Sequence, residues 1–558
     1  MKLDFKPLEI FNFDVLIIGS GGAGLRAAIE AKKFNSNLKV LVVSKGKTGY
    51  GNNTVVSEGY FNTLGFGDKK DSSEIFASDI MAAGRHINNP KLIKTFVEHV
   101  GQLVFELKKF GVKFKEKNGR VDLLKVPGHT YARTVHVIGS GKGIIQPLYQ
   151  YASKIGVQFK DGVLITKILK NGDVVVGAVG VGRNGGIYVF NAKSTILATG
   201  GGGWIYARSN NPGGMTGDGY ILAYEVGLPL MDMEFVQFYP TYVFEKGLRL
   251  LLLYEKLVVQ GAILRNFFGE NIIKKYGITS FSQLTRDLLS RILMFEILGG
   301  RGKNGLIELD LTTLNREAVN DYLKLLASKG FPLEREKVYV SPVAHFFMGG
   351  IKIDEFCQTG LEGLYAVGEV TGGLHGANRL GGNALSEIFV FGKIAGKNAA
   401  IRASNVRVAE EAKKEVSGEV SKLKNILNQT GDEKLEKIQQ KFRETMWYKV
   451  GIIRDRENLR EALEMLNILQ ENVSYIKVEN FFEYVRLLEL KNMITLGLLI
   501  SKAALHREES RGSHYRLDYP DEDKNRIKNI IISRKNGKPT ISIEEPRLNS
   551  LNFLGKNF

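Results

Sequence analysis

The 558-residue chain has a single cysteine, Cys357. No disulfide framework can form within it, and no cysteine-based iron–sulfur or zinc site can be built from its own residues. It also lacks a long apolar run. The most apolar stretch, Leu248 to Val259, is interrupted by Arg249, Glu255 and Lys256, and it is too short to span a bilayer. Residues 1–13 alternate charged and apolar side chains and do not read as a signal peptide. Internal repeats and low-complexity segments are missing as well. The net charge is +18, yet no nucleic-acid motif and no basic stripe interleaved with aromatics goes with it. The excess is spread along the chain, for example over lysine-rich helical faces between Lys413 and Lys441. It reads as a solvated basic surface whose field slightly favours an anionic substrate. These absences imply a cytoplasmic protein, or a peripheral subunit on the cytoplasmic face, with membrane contact only through partner subunits and no nucleic-acid partner.

What is present fits a soluble globular protein: 44% hydrophobic and 24% charged residues. The length exceeds one ordinary domain and suggests several, or one large fold with insertions. The stretch around which the chain is organised is Asp14 to Gly24, DVLIIGSGGAG. A short apolar strand runs into a glycine turn, and a helix of small residues, Leu25 to Lys33, follows at once. Gly19 permits the turn, Gly21 lets a pyrophosphate approach the backbone, and Gly24 lets helix and strand pack closely. The helix N-terminus then offers N–H groups and partial positive charge to phosphates. In this strand–turn–helix context the pattern predicts a dinucleotide site. The next strand, Leu38 to Val43, ends in Ser44-Lys45 rather than the acidic residue that holds a ribose in a generic NAD site. A glycine-rich loop, Gly46 to Gly59, follows and passes near the expected cofactor.

Helical patterns fill Ser72 to Phe110 and Ile144 to Lys154. Strands are expected at Val163 to Leu169, Val174 to Val181 and Ile187 to Phe190, as a small β insertion. It ends in STILATGG, an apolar strand entering a glycine run. Gly200 to Gly203 is either a second close backbone approach to a ligand or a flexible turn. Thr216-Gly217-Asp218-Gly219 starts a helix, where Asp218 either caps it or binds a sugar hydroxyl. Glycine runs thin out from about Leu228 to Val343 and return at Ala344 to Phe391, the pattern of an inserted lid. Arg402 to Arg507 reads as a charged helical appendage. The remainder is a tail with strand character at Asn529 to Ser533 and Thr540 to Ile543.

The ordered set GSGGAG at Gly19, Ser44-Lys45, ATGG at Ala198, TGDG at Thr216, MEFVQFYPT at Met233, RDLLSR at Arg286, HFFMGGI at His345, GLYAVGEV at Gly363, HGANRLGGNAL at His375 and EESRGSHYRLDYP at Glu508 resembles the flavoprotein subunits of the succinate dehydrogenase and fumarate reductase family, which includes L-aspartate oxidases. The resemblance covers about residues 12 to 520. It implies an α/β fold: a Rossmann-like FAD-binding domain (1–228 and 344–401), interrupted by an α+β capping domain (229–343) and followed by a helical domain (402–507) and a tail (508–558). It implies bound FAD, with Gly19, Gly21, Gly22 and Gly24 at the pyrophosphate and Ser44 and Lys45 at the adenosine end. Asn53, Thr54, Gly59, Asp218, Glu369, Asn383 and Leu385 are the other expected cofactor contacts. The implied reaction is hydride exchange between flavin N5 and a C4-dicarboxylate such as fumarate or succinate. Arg286 matches the proton donor, and Arg379, His345 and Glu255 match substrate-binding positions. A free arginine is a poor acid, so this role needs a relay, for which Asp287 and Glu255 are candidates. The one-cysteine chain needs an iron–sulfur subunit to carry its electrons.

Three positions depart from the family pattern. Asn53 stands where many members carry the histidine that links FAD covalently, so non-covalent FAD is expected, and with it the fumarate-reducing direction or an aspartate oxidase. Tyr239 replaces a substrate-binding histidine, and Tyr254 replaces a threonine before Glu255. The competing readings are an L-aspartate oxidase or another family flavin reductase acting on a different anionic acceptor. The aspartate oxidase branch places an acidic residue near Val126 or Pro127 to meet the substrate ammonium, and here neither is acidic.

Overall fold

The computed structural model describes residues 3–245, 247–280, 284–407 and 412–546; the end of the expected tail, 547–558, lies outside the described residues. Its centre is a seven-stranded sheet. Gln158–Asp161, Val40–Ser44, Glu9–Ile18 and Ile187–Leu197 lie side by side in parallel, and Leu364–Ala366 also pairs in parallel with Ile187–Leu197. Val174–Gly182 and Val163–Asn171 complete it as antiparallel neighbours. Val15 to Ile18 and Val40 to Val43 are unbroken apolar runs and are buried throughout. That is the signature of parallel strands covered on both faces. The register sets Ile18 beside Val43 and Leu197, so three strands end at one level. Ligands of open α/β sheets bind beyond that edge.

The strands expected as a separate insertion are instead part of this sheet. Residues 187–197 form one strand that pairs with both its antiparallel and its parallel neighbours. The polar run Asn191 to Ser194 hid this continuity. Two of its polar groups are held by the adjacent strand, Asn191 Nδ2 by Asn12 Oδ1 at 2.9 Å and Lys193 Nζ by Asp14 Oδ1 at 2.8 Å, while the Ser194 hydroxyl is buried without a partner among the described residues.

Two long strands, Val236–Glu245 and Lys337–Phe347, leave the sheet region as an antiparallel pair. They carry a five-stranded sheet with Leu248–Leu251, Ile307–Asp310 and Ile263–Arg265, and the helix Arg286–Leu298 packs on it. This unit has its own apolar core, formed between Tyr239 and Val343. The pairing sets Gln237 opposite Phe346 and Tyr239 opposite Val343, so site residues from both strands meet at the base of the insertion. The strand Lys337–Phe347 and the helix Asn383–Asn405 each run through a segment boundary expected from composition.

Helices Lys413–Leu427, Leu435–Lys449, Arg456–Asn472 and Phe481–His506 follow. The last is apolar on most faces and largely buried, as a central helix should be. A hairpin of Asn529–Lys535 and Lys538–Glu544 then adds to Leu230–Met231 at the base of the insertion. No described helix is long and apolar enough to cross a membrane.

Candidate active site

A cavity of about 1010 Å³ runs from the carboxyl edge of the central sheet to the base of the inserted unit. Gly19, Gly21, Gly22, Ser44, Lys45, Asn53, Thr54, Gly59, Asp218, Glu369 and Leu385 line it at one end, and Tyr239, Arg286, His345 and Arg379 at the other.

The glycine turn is built by close approach. Gly19 has φ +116°, and a Cβ there would lie 2.2 Å from Ala198 O. Gly24 does not face the cavity. A Cβ on it would lie 2.0 Å from Gly19 O, so it serves helix–strand contact rather than the cofactor. At Gly21 the nearest protein atom to an added Cβ is 3.9 Å away, so a side chain there would project into open cavity. The helix Gly22–Phe34 starts at this point with no side-chain cap on its N-cap residue, although Thr54 Oγ1 accepts from Gly22 N at 3.2 Å. A ligand-sized space before a helix N-terminus whose cap residue leaves it open suits a pyrophosphate.

Lys45 Nζ donates to Thr216 Oγ1 at 2.5 Å and to Asp218 Oδ2 at 2.6 Å, and pairs with Glu489 Oε1 at 2.8 Å. Burial alone would lower its pKa, but the two carboxylates outweigh burial and raise it. Asp218 is the first residue of the helix Asp218–Glu225 and not its cap, a place taken by Gly217 at φ +80°. Asn53 Nδ2 donates to Glu369 Oε2 at 2.8 Å and to Asn211 Oδ1 at 2.9 Å. Its Oδ1 is buried without a partner among the described residues, a free acceptor at the wall. Burial pushes the Glu369 carboxyl up to about 7, against the hydrogen bonds from Asn53 and Phe347 N. Asn383 stands behind the wall, where its Oδ1 accepts from Asn62 Nδ2 at 2.6 Å. The glycine cradle, the open helix end and these polar groups fit FAD.

At the far end, Arg379 is buried and has no carboxylate within ion-pair distance among the described residues. Its Nη2 donates to Gln237 Oε1 at 2.8 Å and its Nη1 to Leu380 O at 3.2 Å. Its Nε is orphaned, and the guanidinium lies 4.5 Å from the Phe346 ring centre. Burial and the neighbouring Arg286 lower its pKa to about 9, so it still carries charge at neutral pH. His345 Nδ1 lies 3.0 Å from Asn210 Nδ2 and 3.4 Å from Asn210 Oδ1; with the nearer amide nitrogen as donor, Nε2 is the ring nitrogen that carries the proton. Burial first, then Arg379 and Arg286, keep this imidazole neutral, well below its ordinary pKa.

Arg286, first residue of its helix, pairs with Glu255 through Nη2–Oε1 at 3.2 Å. Burial would lower its pKa, but Glu255 and the two phenols hold it above the ordinary value. Glu255 does not face the cavity; it stands behind Arg286. The Tyr239 hydroxyl donates to Glu255 Oε2 at 2.8 Å, so its one proton orients that carboxylate and is not directed into the cavity. Tyr254 also stands behind the wall, with its hydroxyl donating to Leu284 O at 3.0 Å. The Asp287 carboxylate forms no ion pair with Arg286 among the described residues. It accepts from Asn378 Nδ2 at 3.2 Å and so ties the capping helix to the loop before Arg379. Asn210, Gln237 and Glu489 were not expected. Gln237 lay within the MEFVQFYPT segment and alternates with Tyr239, a signal the strand period offered.

The chain matches two family descriptions, "FAD binding domain" over residues 14–385 and "Fumarate reductase flavoprotein C-term" over 439–555. An uncharacterized FAD-dependent oxidoreductase of Methanocaldococcus jannaschii is 38% identical, over 94% of this chain and 96% of the relative. One subunit of the fumarate reductase (CoM/CoB) of Methanothermobacter marburgensis is 36% identical, over 94% of this chain and 98% of the relative. A solved structure of E. coli quinol fumarate reductase superimposes with a TM-score of 0.89 at 30% identity, covering 97% of each chain.

Proposed function

Because the chain belongs to the succinate dehydrogenase and fumarate reductase flavoprotein family and is an FAD-dependent oxidoreductase, we propose that it exchanges hydride between its FAD and a C4-dicarboxylate, with Arg286 supplying the proton. One observation carries this reading: two guanidinium groups, Arg286 and Arg379, line one cavity end, and Arg379 has no internal carboxylate among the described residues. A buried cation left unpaired is costly. A ligand carboxylate would relieve that cost, and its two oxygens match the guanidinium fork. His345 Nε2–H and Arg379 fix the carboxylates of the substrate.

Arg286 gives an Nη proton to the substrate carbon and takes one back through Glu255. Its raised pKa means a deprotonated arginine cannot persist, so loss and return of the proton are one linked event. Tyr239 holds Glu255 in place for that return. Electrons reach the site through a separate iron–sulfur subunit, and any membrane contact on the cytoplasmic face runs through such partners. With asparagine at position 53, FAD is held without a covalent link, and it separates from the polypeptide in a denaturing gel.

The apolar Val126 supports this reading over aspartate oxidation. A Cβ on Gly381 would be 3.3 Å from Arg286 Nη2 and 3.5 Å from Val126 Cγ2, so the residue beside the arginine offers an ammonium group no charge. The test is dye-driven turnover by the FAD-loaded chain. Fumarate reduction without aspartate-dependent peroxide is expected; peroxide from aspartate without fumarate reduction would overturn the assignment.

A further inference from the structure

The helix Phe481–His506 lies outside both the central sheet and the inserted unit, yet it reaches the polar groups that line the cofactor end of the cavity. Glu489 Oε1 pairs with Lys45 Nζ at 2.8 Å. Asn492 Nδ2 donates to Asp218 Oδ1 at 2.8 Å. Leu496, fully buried, packs onto two glycines of the cofactor loops. A Cβ on Gly217 would lie 2.2 Å from Leu496 Cδ2, and one on Gly202 would lie 2.7 Å from it. Residues 489, 492 and 496 are spaced i, i+3, i+7 and so form one helical face.

We infer that this face is the back support of the FAD site: Glu489 and Asn492 position Lys45 and Asp218 for the cofactor, and docking of the C-terminal helix and binding of FAD are coupled. None of the three residues lines the cavity, so they act through the two that do. Lys45 lies among Thr216, Asp218 and Glu489, and both Asp218 oxygens are engaged, Oδ2 by Lys45 and Thr216, Oδ1 by Asn492. Without Glu489 the lysine keeps one carboxylate and can swing about it. Without Asn492 a buried carboxylate oxygen loses its donor. By reciprocity, if the docked helix improves FAD affinity, FAD must tighten the docking of the helix by the same factor.

The test uses the full chain stripped of flavin and titrated with FAD by fluorescence quenching. Glu489→Gln keeps the shape and removes the charge, and it is expected to weaken FAD about tenfold; Asn492→Asp, which sets a second carboxylate against Asp218, is expected to weaken it more. In the unaltered chain, FAD is expected to slow amide hydrogen exchange along 485–500. That second readout stands even if a variant folds poorly, and neither readout depends on which substrate the enzyme reduces. Unchanged FAD affinity in both variants, or identical exchange along 485–500 with and without FAD, overturns the coupling.

Discussion

Lys45 and Arg379 are cations on the wall of one cavity, and they differ in the company they keep. Lys45 has Asp218 and Glu489 within 2.8 Å and Thr216 beside them. Arg379 has an amide oxygen, a backbone carbonyl and an aromatic face, with one N–H orphaned. The first arrangement is electrostatically closed and holds a shape. The second is open and gains most when an anion arrives. Arg286 stands between these extremes, paired with a carboxylate that is itself held by Tyr239, the arrangement that the proposed proton step needs.

The largest expected effect breaks the proton step. Arg286→Ala should lower dye-driven fumarate turnover by about a thousandfold or more, with the bound-flavin absorbance retained. Next is the open end. Arg379→Lys keeps the charge but loses the fork, and KM for the dicarboxylate should rise about 10- to 100-fold in steady-state assays. Tyr239→Phe removes only the hydrogen bond that orients Glu255, so kcat should fall by less than about tenfold with KM nearly unchanged. The effect at neutral pH is smallest for His129 and His136. Burial first, and then nearby cations, lower both to about 4. A histidine depressed in the folded state stabilises the fold above its unfolded pKa, near 6.5, and that stability is lost as pH falls toward 4. Thermal denaturation followed from pH 7 to 4 should show this acid limb, and His136→Phe should flatten it.

The cofactor end was legible in sequence because its demands are local. Only glycine serves at Gly19, where the turn needs φ +116° and leaves no room for a Cβ, and such positions leave a spaced pattern. The presence of Arg286, Arg379 and His345 was legible from their motifs. The direction of side chains was not. Tyr239 and Tyr254 both look like substrate contacts in sequence, yet their hydroxyls point to Glu255 and to Leu284 O, a choice made by packing within the inserted core. The helix behind Lys45 was illegible for another reason. Asn492 and Asp218 are 274 positions apart, and a polar residue in an apolar helix reads only as an interruption. The strand Ile187–Leu197 was cut short by the same logic, since the partners of Asn191 and Lys193 lie on another strand.

The contrast between a closed and an open cation is tested most directly at Arg379 itself. Thermal and denaturant unfolding of the FAD-loaded chain should be compared with that of Arg379→Met, each with and without succinate. If the unpaired guanidinium is held for a ligand at the expense of the fold, Arg379→Met should be more stable than the unaltered chain by about 1 to 3 kcal/mol without ligand. Succinate should then stabilise only the unaltered chain. A less stable Arg379→Met that still responds to succinate would contradict the account.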